Sequence, residues 1–178
     1  MTEFYDASAF EKLAVNLFYG WGYNFYRVEN QVRADDLRVR SNVGLLLGQA
    51  RRSVEAAESA YRRAHLPPPS REKPRPDPQA VASAQLLEDL ARRFGRIEGQ
   101  VRAQPVPEND RMTQRARAER ETLLRLLDLD TRLVGQVEFL RQAVSGEAPA
   151  RLLDNLALVE ASLASVDHLL RERQELLG

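Results

Sequence analysis

Apolar residues recur along this chain in steps of three and four, and no stretch alternates as a half-buried strand requires. The cleanest stripe is Leu152, Leu156, Val159, Leu163, Val166 and Leu170, with Arg173 and then Leu177 at the next two positions of the same series. Upstream, Leu123, Leu126, Leu133, Val137, Leu140 and Val144 form a second stripe, with Asp130 at one of its positions. A third runs through Leu87, Leu90, Phe94, Ile97 and Val101. Steps that average 3.5 predict coiled-coil seams between helices. The N-terminal part is less regular. Phe10, Ala14, Leu17, Trp21, Phe25, Val28 and Val32 keep a helical stripe across Gly20 and Gly22, and it continues through Val39, Val43, Leu46, Ala50, Ala57, Ala60 and Ala64.

Prolines and caps divide these stripes. Pro67, Pro68, Pro69, Pro74, Pro76 and Pro78 crowd one short stretch, so residues 66–77 are expected to form an extended linker of polyproline II character. Asp77-Pro78 places a capping carboxylate before a proline at the first helical position, which predicts a helix start. Pro105 and Pro107 mark a second break, with a new helix expected after Asn109-Asp110 and running to about Ser145. Gly146 and Pro149 mark a third. Near the N-terminus, Ser8 and Glu11 fit a capping box, and the glycines at 20 and 22 predict a kink between a short helix and a very long one. Unbroken from residue 7 to 65, that helix would be roughly 90 Å long. The fold expected is all-α: an elongated antiparallel helical bundle with coiled-coil seams, in up-down-up-down order. It divides into an aromatic-rich N-terminal segment and long helix (1–65), a proline-rich linker (66–77) and a three-helix portion (78–178) that packs on the long helix as one domain.

Composition then removes several functions. The 178 residues balance 26 basic against 26 acidic side chains, which argues against a strongly basic nucleic-acid binder. Without cysteine there are no disulfides, thiolate nucleophiles or Cys-ligated metals. The N-terminus is acidic where a signal peptide would be basic, and the most apolar run, 13–26, is too short to span a membrane. These features point to a cytoplasmic protein. The basic residues are 24 Arg and two Lys, a skew that accompanies GC-rich coding and hints at a bacterial source.

Nine of the twelve aromatic residues lie between Phe4 and Tyr26. Between Phe18 and Tyr26 the rings point all round a helix, so they must be surrounded. The rings either plug one end of the bundle or form a surface for association. Phe18, Tyr19, Trp21, Tyr23, Phe25 and Tyr26 are taken as the candidate interface, with a second copy of the chain as the expected partner and another protein as the further possibility. Gly44 and Gly48, and Gly95 and Gly99, are each four apart and suggest close helix approach inside the bundle. A phrase recurs at 27–34 (RVENQVRA) and 96–103 (RIEGQVRA), with an echo at 132–137, but without a fixed period. The copy at 96–103 resembles the opening helix of the copper-sensing repressor family of small helical regulators over those eight residues. That family's metal sites need cysteine, so neither function nor residues are carried across.

Catalytic readings lack parts. Neither His65 nor His168 follows a glutamate by three residues, as a di-iron bundle requires. Ser165, Asp167 and His168 fan round a helix instead of forming a triad. No catalytic residue, metal or cofactor is therefore assigned. The function expected is non-enzymatic: a structural or protein–protein interaction role through self-association. The runner-up is a nucleic-acid-associated or regulatory role for the long helix, where residues 37–75 hold nine basic and three acidic side chains, Arg38, Arg40, Arg51, Arg52, Arg62 and Arg63 among them. Pairs such as Glu29–Arg33 and Asp36–Arg40 favour a solvated face over a nucleic-acid site.

Overall fold

A computed structural model describes Leu13, Leu17 and residues 29–71, 73–104 and 116–177, with the side chains of 29–35, 116–120 and 123 outside that description. Among the described residues the chain is all-α, without a strand. Its elements are α1 (Glu29–His65), α2 (Pro78–Ala103), α3 (Ala116–Val144), α4 (Pro149–Asp154) and α5 (Leu156–Leu177). The boundaries follow local chemistry. The Asp77 side chain accepts from the Gln79 N–H at 3.1 Å, and Pro78 opens α2 without leaving a donor unpaired. At the other end of α2, Gln104 precedes Pro105, whose ring disfavours helical backbone in the residue before it. Gln104 is extended accordingly, at φ −59° and ψ 139°, and the helix stops. α3 ends in a turn at Gly146, whose φ of +70° lies where an L side chain is strained.

Two expectations need correction. The last stripe is not one helix: the backbone hitches at Asn155, at φ −96° and ψ 9°, between α4 and α5. The hitch is slight, because Asn155 N–H donates to the Arg151 carbonyl and Val159 N–H to the Asn155 carbonyl, each at 3.1 Å. Within the linker, Ser70 and Lys73 form a turn: Ser70 N–H donates to the Lys73 carbonyl, and Lys73 N–H to the Ser70 hydroxyl. The Gly20–Gly22 kink and the Asn109-Asp110 cap lie outside the described residues.

Contacts between helices set their directions. Arg62 meets Glu88, Arg51 meets Glu98, and Arg40 meets the Gln104 carbonyl, so α1 and α2 run antiparallel. Arg93 meets Glu160 at 3.1 Å, and Gln104 meets Leu170, so α2 and α5 run parallel. The helices close a ring in the order α1, α2, α5, α3, with α4 covering one end against α1 and α2. The core is aliphatic, with Phe94 its one fully buried ring among the described residues. Its stripes are wider than the single narrow seams the sequence suggested: α1 buries both Leu46 and Leu47, α3 both Leu133 and Val134, and α5 both Leu169 and Leu170. A helix touched by two neighbours needs that wider face.

Candidate functional site

The candidate interface residues Phe18, Tyr19, Trp21, Tyr23, Phe25 and Tyr26 lie outside the described residues. Just before them, Leu13 and Leu17 are helical and half-buried, and Leu17 packs against the bundle core. After them, Leu37 and Leu45 on the outer side of α1 remain 63% and 55% exposed.

Gly48 and Gly95 mark the α1–α2 contact, where what fills the space is charged, whereas Gly99 is exposed and faces open space. A Cβ at Gly48 would sit 3.5 Å from the Glu98 carboxylate, and one at Gly95 3.4 Å from the Arg51 guanidinium. Glu98, buried, accepts from Arg102 at 2.5 Å and pairs with Arg51 at 3.7 Å. Other arginines of the long helix are likewise partnered: Arg62 bonds both Glu58 and Glu88, and Arg63 reaches the Ser59 hydroxyl. His65 ends α1 with its ring 4.4 Å from that of Tyr61, and exposed His168 pairs with Glu172 at 2.9 Å. The Ser165 hydroxyl donates to its own helix and Asp167 pairs with Arg171, so residues 165–168 are not brought together.

One expectation about this helix is overturned. Asp36 and Arg40 form the i, i+4 pair, at 3.1 Å, but both are buried instead of lying on a solvated face. They belong to a polar centre that joins all four long helices. Arg173, with none of its surface exposed, projects from α5 between two carboxylates. Its Nη2 donates to Asp36 on α1, and its Nε donates to Asp130 on α3 at 3.0 Å. Its Nη1 lies 3.5 Å from Gln104 Oε1 at the end of α2. Gln104 completes the cluster from both its ends: its carbonyl accepts from Arg40 Nη1 at 2.9 Å, and its Nε2 donates to the Leu170 carbonyl at 3.2 Å. The residue held extended by Pro105 thus ties α2 to α1 and α5.

Burial dominates the electrostatics of this centre. It pushes the Asp130 carboxyl up to about 8, against the opposing charge of Arg40. It lowers Arg173 to about 10 and also lowers Arg40, with Asp130 opposing the shift on Arg40. A second half-buried pair shows the reverse balance: two 2.7 Å bonds from Arg141 hold the Glu138 carboxyl below its ordinary value.

The grooves outside the core are mixed in chemistry. One of about 460 Å³ lies between α3 and α5, where Leu124, Leu129 and Leu176 are rimmed by Glu121, Arg125, Asp128 and Glu172. Another, of about 160 Å³, lies beside Gln104 and is lined by Gln100, Asp167, Arg171 and Gln174 among others. Among the described residues, no group of His, Asp and Glu is placed to hold a metal ion, and no helix is long and apolar enough to cross a membrane. Comparison of the chain with known protein families, with characterised proteins and with solved structures gives no match.

Asp130 and Arg173 were visible in the sequence as charges on apolar stripes. Asp36 was masked by its neighbour Arg40, since an i, i+4 pair reads equally well as a surface feature. For Gln104 the available signal was its place before Pro105.

Proposed function

We propose that this chain is a non-enzymatic interaction module that works through self-association of its aromatic N-terminal end. The observation that carries this reading is the uneven use of rings. Nine of twelve aromatics crowd into residues 4–26, whereas the described core is aliphatic and fully buries one, Phe94. Tyr and Trp are characteristic anchors of interfaces, and a two-fold axis covers an apolar surface with a copy of itself. Exposed Leu37 and Leu45, on the helix that follows, would extend such a surface.

Light scattering coupled to size exclusion tests the reading. A dimer or larger species is expected at micromolar concentration, against a chain mass of 20.2 kDa. Trp21→Ala with Phe25→Ala should shift it toward monomer while helix content holds. A monomeric parent, or loss of helix without dissociation, overturns the reading.

A further inference from the structure

The aliphatic stripes of this bundle repeat too regularly to fix how its helices align. Along α4 and α5 the core-facing positions include Leu152, Val159, Leu163, Val166 and Leu170, with Ser162 and Leu169 buried beside them. Sliding α5 by one heptad, about 10 Å at 1.5 Å per residue, lays one Leu or Val where another had been. The same holds for Leu133, Val137, Leu140 and Val144 on α3. Hydrophobic burial is non-directional and distinguishes such arrangements poorly.

The polar centre does not repeat. Arg173 meets Asp36, Asp130 and Gln104 at a single level, and each of the three comes from a different helix. Displacing α1, α3 or α5 by a turn would set a carboxylate or a guanidinium against leucine and valine without its partner, a heavily penalised state, and displacing α2 would take the Gln104 carbonyl from Arg40. At the same time the network withdraws four ionisable groups from water, which offsets much of what their attraction contributes. We propose that the Asp36–Arg40–Gln104–Asp130–Arg173 network is the element that sets the mutual alignment of the four long helices, and that the bundle would form without it but in more than one register.

The test removes the charges together, so that none is stranded: Asp36→Leu, Arg40→Met, Asp130→Leu and Arg173→Met in one chain. The chain has no cysteine of its own, so Arg93→Cys and Glu160→Cys place a spin-label pair on α2 and α5, where those two side chains now meet at 3.1 Å. Both positions are on the surface. Pulsed dipolar distances are measured with the labelled chain diluted into unlabelled chain, so that only intramolecular pairs contribute. With the network intact, one narrow distance is expected. In the fourfold variant, circular dichroism should stay helical while the distribution broadens or splits, with a longer component from chains slid by about 10 Å along the axis, one heptad of rise. The slide lengthens the distance by less than its own extent, because the two are at right angles. A single narrow distance in the variant would mean that the stripes alone fix the register. Loss of helix would mean that the network holds the fold itself. Either result overturns the proposal, and neither depends on whether the chain self-associates.

Discussion

Arginine–carboxylate pairs occur in two settings in this bundle, and they differ in burial more than in geometry. On the rim of the α1–α2 contact, Arg92 bonds Glu88 at 2.7 Å and Arg62 bonds both Glu58 and Glu88, all four side chains in reach of water. In the centre, Arg173 bonds Asp130 at 3.0 Å with both side chains almost wholly enclosed. Distance alone would rank the rim pair higher. Yet water screens the rim charges and can replace either partner, whereas nothing replaces a partner lost from the centre. A short ion pair therefore says little about consequence until its surroundings are known.

The largest expected effect comes from breaking the centre at its hub. Arg173→Met takes the guanidinium from between Asp36 and Asp130 and, above about pH 8 where the Asp130 carboxyl is charged, should lower unfolding free energy by about 3–5 kcal/mol. Denaturant titration followed by circular dichroism reads this directly. A carboxylate forced onto the apolar part of the same helix should be comparable or somewhat smaller. Leu163→Asp, at a position 3% exposed, is expected to cost about 3 kcal/mol or more. An unchanged midpoint would mean that the stripe is not buried.

The next effect is on pH dependence. Asp130 keeps its proton in the folded chain up to about 8, whereas the unfolded chain releases it near its ordinary value of 3.8. Between these values the folded state binds more protons, so stability should fall as pH rises. This contribution is full below the unfolded value and lost as pH passes through about 8. Asp130→Asn, which cannot titrate, should flatten the profile in that window, and thermal unfolding at a series of pH values compares the two slopes. The smallest effect is expected at the rim: Arg92→Met should leave the denaturation midpoint where it was, and a clear drop would erase the contrast between the settings.

The same contrast explains how much of the molecule was legible in the sequence. Helix limits were, wherever a residue acts on its own backbone: Asp77 capping α2, Pro78 opening it, Gly146 closing α3. So was the core, because period and burial are local properties of a stripe. The charges at Asp130 and Arg173 could be seen to be out of place, but not to answer each other across 43 residues. Asp36, 137 residues from Arg173, looked like one half of a surface pair, since its intrahelical bond to Arg40 is the same whether water is present or not. Helix packing decides that, and the aliphatic stripes left packing open.

A double-mutant cycle on Asp130 and Arg173 tests most directly whether the centre matters through stranded charge. Asp130→Leu, Arg173→Met and the combination are compared with the parent by equilibrium unfolding at a pH between about 8 and about 10, where the Asp130 carboxyl and the Arg173 guanidinium are both charged. The pair removed together leaves Asp36 bonded to Arg40, so no carboxylate is left without a partner. The combined loss is expected to fall short of the sum of the two single losses by about 1 kcal/mol or more, within the range measured for residues in one network. If instead the two losses simply add, the residues act independently, and the reading of the centre as one coupled unit is contradicted.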